Sequence, residues 1–409
     1  MIERWQQVLW TTAMSRKIEF SNMTRLLDTD NSSAWGVHER ALELKRQGED
    51  VILLCVGDPD FRTPEPIIDN AVSYLRVGRT HYSPALGEVN LRRAVADLET
   101  RSSPHPCDMD EVVIFPGATQ ALYAVLACLL NPGDEIIIPE PMYVGYTGLV
   151  DAIGAHVITV PLLADAGFAL DIELIKAAVT PKTRVVLVNT PNNPTGSMID
   201  QATLRELAQF CLSSGLWLMC DEVYSMITFD QKHRSLRASA DNLENVVMID
   251  GLSKSHAMSG WRVGWAICPR SLVTHLERFS TATLFGGPQF IQDAAAFALS
   301  NDEYYVAEMR EEYQRRRDFC VARISEIEGV SCARPAAGMF VMMDIRGLGE
   351  SDVTFAEQLL EAEGVSTVPG RGFGPAGEGF LRITLAQPIP VLKNAFERIK
   401  RFVGRYSQR

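Results

Sequence analysis

The sequence has eight cysteines, Cys55, Cys107, Cys128, Cys211, Cys220, Cys268, Cys320 and Cys332, but no C-x-x-C pair. Five sit in apolar surroundings, such as Cys128 in AVLACLL and Cys220 in LWLMC. They read as buried free thiols in a reducing compartment, not as a disulfide framework. The seven histidines show no H-x-x-x-H or H-x-x-E-H spacing, so no structural metal is expected. Long apolar runs are absent too: Val51–Val56 and Glu135–Ile138 are far too short to span a bilayer. Nor is there an excess of basic charge. With 39 basic and 51 acidic side chains the net charge is −12, which excludes a broad nucleic-acid or anionic-membrane surface and leaves room for a local cationic pocket. The first ten residues, MIERWQQVLW, lack the apolar core of a secretory signal, and Met14 is a second candidate start. A cytoplasmic location is expected.

What is present is the composition of an ordinary globular protein, 46% hydrophobic and 22% charged over 409 residues. A helix-like pattern begins near Trp35 (SSAWGVHERALELKRQG), followed by the apolar run VILLCVG. Between about 110 and 270, short β-branched runs (EVVIF, EIIIP, HVITV, TRVVLVN, LWLMCDE, VVMIDG, VGWAIC) alternate with helix-like segments. This predicts an α/β domain with a mostly parallel, doubly covered sheet. Beyond 300, a long charged helix, strands at GMFVMMDI and FLRITLA, and two further helices predict a smaller α+β domain. The expected division is an N-terminal arm and helix (1–50) packing with the small domain, a large domain (51–300) and a small C-terminal domain (301–409).

In open α/β sheets ligands gather at the carboxyl ends of strands, and four residue sets fall there. In PGATQAL (116–122) a strand stops and a helix opens at Ala118 and Thr119, leaving free N–H groups for an anion. In NTPNNPTG (189–196) Asn193 stands in a turn directly after a strand. In CDEVY (220–224) Asp221 ends an apolar strand, where a carboxylate needs a cationic partner. In GLSKSHAMSGWRVGW (251–265) Lys254 follows a strand among small residues, with Arg262 eight positions on.

Together with VGDPDF, HYSPALG, PEPMYVGY, DEVYS and FLRIT, these motifs make the chain resemble the fold-type I, pyridoxal-phosphate-dependent class I/II aminotransferases, from about residue 35 to the C-terminus. The resemblance implies a role for each residue. Lys254 would form the Schiff base with pyridoxal 5′-phosphate and then act as general base. Asp221 would keep the pyridine nitrogen protonated. Asn193 and Tyr224 would hydrogen-bond the ring oxygen, and Tyr143 would stack on the ring. Arg262, with the N–H groups of Ala118 and Thr119, would bind the phosphate, helped by Tyr82 from a neighbouring subunit. Arg382 would clamp the substrate carboxylate, with Gly57 allowing close backbone approach. Ala118 and Gly251 depart from the hydroxyl residues that some relatives carry.

The implied reaction is ping-pong transamination between an L-amino acid and a 2-oxo acid in a homodimer. A narrower likeness, in PEPMYVGY, GMFVMMDIR and FIQDAA, implies L-arginine as donor and pyruvate as acceptor, with Asp30 or another acid near the N-terminus as a candidate guanidinium partner. The alternatives are β-elimination, decarboxylation or oxidative deamination with the same cofactor, or an aspartate, aromatic or alanine donor. A DNA-binding regulator is disfavoured, since only about 35 residues precede the first family-like helix and a helix-turn-helix domain needs more.

Overall fold

The computed structural model describes residues 19–27 and 32–406. Met14 and Asp30 lie outside them. Thirteen strands occur among the described residues: β1 (Ile52–Leu53), β2 (Val112–Phe115), β3 (Glu135–Glu140), β4 (His156–Pro161), β5 (Thr183–Asn189), β6 (Trp217–Asp221), β7 (Val246–Gly251), β8 (Gly264–Ile267), β9 (Ser331–Cys332), β10 (Phe340–Asp344), β11 (Val365–Ser366), β12 (Val368–Pro369) and β13 (Phe380–Thr384). Seven form the large sheet in the order β2-β8-β7-β6-β5-β3-β4. Only β8 runs against its neighbours, so the sheet is mostly parallel.

Why both faces are covered can be read from single strands. Side chains alternate across a sheet. Along β5, Val186 and Val188 enter one buried cluster while Val185 and Leu187 enter another. Along β6, Leu218 and Cys220 oppose Met219 in the same way. A strand buried on both sides must be apolar throughout, which explains the unbroken hydrophobic runs. The helix Ala118–Leu129 packs on one face; helices Val89–Ser102 and Gln289–Leu299 pack on the other.

A third cluster builds the small domain around the antiparallel sheet β12-β13-β10-β9. It joins the helix Ser32–Arg46, through Val37 and Ala41, to the long helix Asp302–Ser325 and the final helix Ile389–Tyr406. The run VILLCVG departs from its expected extent. Only Ile52 and Leu53 enter a ladder, and their partners are Val365 and Ser366 of β11. Leu54 and Cys55 are buried by packing instead of by sheet neighbours, and Leu54 is held by backbone bonds from its N–H to Ser366 and to its carbonyl from Thr384. All eight cysteines are free thiols. Among the described residues, no helix is long and apolar enough to cross a membrane, and no group of His, Cys, Asp and Glu is arranged to hold a metal ion.

Candidate active site

The carboxyl ends of β5, β6 and β7 and the start of the helix after β2 converge on a cavity of about 380 Å³ that the small domain closes through Phe340 and Arg382. Ala118, Thr119, Tyr143, Asn193, Asp221, Tyr224, Lys254, Arg262, Arg382 and Gly57 all line it. Register explains part of this convergence: Asn189 and Asp221 are paired across β5 and β6, and the Asn189 side chain donates to the Asp221 carbonyl at 2.9 Å while its oxygen accepts from the Asn193 N–H at 2.8 Å.

Lys254 follows β7 on a short helical turn, Leu252–Ser255. Its Nζ donates to the Gly57 carbonyl at 2.7 Å. Burial lowers its pKa, partly offset by Asp58, which enlarges the neutral fraction that a nucleophile or base requires. Gly57 is needed for a reason the sequence does not display: a Cβ there would lie 2.3 Å from the Phe340 ring.

Asp221 is buried, and desolvation pushes its carboxyl up to about 6 despite a 2.7 Å hydrogen bond donated by Tyr146. Tyr146 closes the motif PEPMYVGY, but the motif alone gives it no role. It lies fully buried three residues after Tyr143, where a phenol needs a polar partner. Tyr224 is also buried, and desolvation raises its pKa, so the phenol stays a proton donor at neutral pH.

Arg382 occupies the middle of β13, between Leu381 and Ile383, which enter the small-domain core. Alternation sends the arginine to the other face. There Nη1 donates to Asn193 Oδ1 at 3.1 Å and Nη2 to the Cys55 carbonyl at 2.5 Å. Phe340 and Phe373 lie 4.2 and 4.7 Å from its Cζ. Among the described residues its Nε has no partner, and burial lowers the guanidinium pKa to about 10. A buried cation with an unmatched N–H calls for an anion.

Arg262 is exposed, with a left-handed backbone (φ 56°), and donates through Nη1 to the Ser259 carbonyl at 2.8 Å. It crosses the N-terminus of the helix Ala118–Leu129 at Gly117. A Cβ on Gly117 would meet Arg262 Nη2 at 2.5 Å, and its φ of 88° favours glycine as well. A Cβ on Gly251 would meet the Val263 carbonyl at 2.8 Å, so serine at that position would require the backbone to shift.

Tyr82 stands apart. It is 81% exposed, packs edge-on against Phe285 at 5.0 Å, and lines a separate groove with Phe285 and Phe290. Its own chain does not bring it to the cavity.

A shielded amine, a buried carboxylate able to neutralise a ring cation, a phenol donor, and an arginine at a helix N-terminus able to hold a phosphate fit one group, pyridoxal 5′-phosphate. On this doubly covered sheet they define a fold-type I enzyme. The chain belongs to the aminotransferase class I and II family, which matches residues 49–399, and membership implies that cofactor and transamination of an amino acid with a 2-oxo acid. It is 43% identical to the arginine–pyruvate transaminase AruH of Pseudomonas aeruginosa, covering 93% of this chain and 97% of that one. It is 35% identical to the aspartate/prephenate aminotransferase of Thermus thermophilus, covering 91% and 96%. Among solved structures, an alanine aminotransferase from Pyrococcus furiosus superposes with a TM-score of 0.90 at 29% identity, covering 95% of this chain and all of that one. A single mutant of the Thermus thermophilus aspartate aminotransferase gives 0.89 at 33%, covering 94% and 100%.

Proposed function

We propose that this aminotransferase moves the amino group of L-arginine to pyruvate. The observation that supports the substrate pair is the 43% identity, over nearly the whole of both chains, to an arginine–pyruvate transaminase. Pyridoxal 5′-phosphate, when bound, supplies an aldehyde that links to amines and a ring that draws electrons from the adjacent carbon. The protein does the rest. Arg262 and the N–H groups of Ala118 and Thr119 would hold its phosphate, Asp221 would keep its ring nitrogen protonated, and Tyr143 would pack against the ring. Asn193 Oδ1 is engaged by Arg382, so its NH₂ and the Tyr224 hydroxyl would be the donors for the ring oxygen. Arg382 orients the donor through its α-carboxylate. Lys254, whose pKa burial lowers, would be the base that takes the proton from the donor Cα and the acid that returns it. The donor leaves as its 2-oxo acid, and pyruvate collects the nitrogen by the same steps reversed, a ping-pong scheme.

The functional unit is a homodimer. The exposed pair Tyr82 and Phe285 suits a partner surface, across which Tyr82 would reach the phosphate held by the neighbouring subunit. Free thiols throughout support a cytoplasmic setting. Purified holoenzyme with pyruvate and single amino acids tests the reading: arginine should give alanine and the corresponding 2-oxo acid in equal amounts. Alanine from aspartate or aromatic donors but not from arginine overturns the donor. Ammonia or peroxide without alanine overturns transfer.

A further inference from the structure

Strand pairing between β6 and β7 stops at Asp221 and Ile249. One step further, the Glu222 N–H donates to the Ile249 carbonyl at 2.8 Å. Past that point the ladder no longer ties the two segments, one carrying Tyr224 and the other Lys254. The next hydrogen bond between them is made by side chains. Ser225 Oγ donates to Asp250 Oδ2 at 3.0 Å, while Asp250 Oδ1 accepts from the Gly251 N–H at 2.6 Å. Asp250 is therefore shared between the residue after Tyr224 and the glycine that opens the Lys254 turn, Leu252–Ser255. Glycine has the widest backbone freedom, and no side chain can restrain it here, because a Cβ on Gly251 would lie 2.8 Å from the Val263 carbonyl. Gly264, paired with Gly251 across β7 and β8, is packed as tightly. A Cβ there would meet the Ala118 nitrogen at 2.5 Å and the Asp250 carbonyl at 2.9 Å.

Asp250 makes these bonds from outside the active-site cavity. Alternation along β7 puts it on the face of Met248, and both line a second cavity of about 550 Å³ with Glu99, Glu222, Trp265 and Arg310. Charge is not its means of action. The charges felt by the Lys254 amine are those of Asp58, Arg382, Arg262 and Asp221, and desolvation, reinforced by Glu222, pushes the Asp250 carboxyl well above the usual carboxylate range. We infer that Asp250 is a positioning residue: holding the Gly251 N–H and the Ser225 hydroxyl at once, it fixes the turn that carries Lys254 against the segment that carries Asp221 and Tyr224. The inference rests on Lys254 as the cofactor-bearing lysine and is independent of the donor.

The Lys254 amine reports its own displacement, because its proton affinity depends on its distances from Asp221, Arg262 and Arg382. Two readouts follow it. In the full chain without cofactor, competitive labelling of lysines across pH, mapped by mass spectrometry, gives the Lys254 pKa. In the chain loaded with pyridoxal 5′-phosphate, the pH dependence of the visible band gives that of the linked nitrogen. Asp250→Ala should shift both by about half a unit to one unit, the equivalent of one hydrogen bond. It should also lower kcat about 10- to 100-fold, as misplacing a reacting group does, with KM for the best donor nearly unchanged. Ser225→Ala leaves the Gly251 bond and should move each quantity in the same direction by less. Asp250→Asn should restore the wild-type titration and most of kcat, since its Oδ1 still accepts from Gly251 and its NH₂ donates to Ser225 Oγ. Should Asp250→Ala not fold, Ser225→Ala set against Asp250→Asn decides. Variants that lose stability or kcat while Lys254 titrates as in wild type overturn the inference, as does Asp250→Asn with the titration of Asp250→Ala. A wild type with no covalent link at Lys254 overturns the assignment of that lysine, and the inference with it.

Discussion

Replacing Asp221 with asparagine should stabilise the cofactor-free protein at pH 8 while disabling the loaded enzyme. The carboxyl is buried, and desolvation raises it from 3.8 to about 6. Each pKa unit corresponds to about 1.4 kcal/mol, so keeping this group ionised in the folded, cofactor-free chain costs about 3 kcal/mol. The direction follows from proton binding: the folded chain holds the Asp221 proton more tightly than the unfolded chain does. Stability therefore falls as pH rises from about 4 to about 6, then levels off. Asparagine can still accept from Tyr146 and has no charge to bury. The stability of Asp221→Asn relative to wild type should thus rise by about 2.4 kcal/mol between pH 4 and pH 7. Urea unfolding of both cofactor-free proteins across that range, at one protein concentration, measures the change. With cofactor the sign reverses, because the ring cation loses its buried counter-ion; a loss of about 3–5 kcal/mol lowers turnover by a hundredfold to several thousandfold. A stability difference independent of pH, or a wild type more stable than the variant at pH 8 without cofactor, would refute the reasoning.

Two other substitutions probe the neighbours. Tyr146→Phe removes the 2.7 Å bond to Asp221; losing about 1.5–3 kcal/mol of charge-assisted bonding should raise the Asp221 pKa by about one to two units in the cofactor-free chain, read as an upward shift in the pH at which stability levels off. Arg382→Lys keeps the charge but loses the fork that spans Asn193 and the Cys55 carbonyl, and kcat/KM should fall about 10- to 100-fold for every donor, whereas an unchanged value would remove Arg382 from carboxylate binding.

The large sheet was legible because its strands are buried on both faces and so carry unbroken apolar runs between helical segments. The run VILLCVG shows the limit of that signal. Apolarity reports burial, but Leu54 and Cys55 are buried outside any strand, and the sequence cannot distinguish the two. Strand ends exposed most of the site, since Asn193, Asp221 and Lys254 each follow an apolar run directly. Tyr146 was hidden because a tyrosine on a helix that also buries Val150 looks like core, and its hydroxyl meets Asp221 only through the fold. The reason for Gly57 was hidden likewise, since Phe340 reaches it from the small domain.

The most direct measurement fixes the cofactor chemically. Native protein loaded with pyridoxal 5′-phosphate is reduced with borohydride, digested and mapped by mass spectrometry. The cofactor should be attached through the Lys254 side chain, and Lys254→Ala should retain none. Attachment at another lysine, or a protein that binds the cofactor without any covalent link, would contradict the account at its centre.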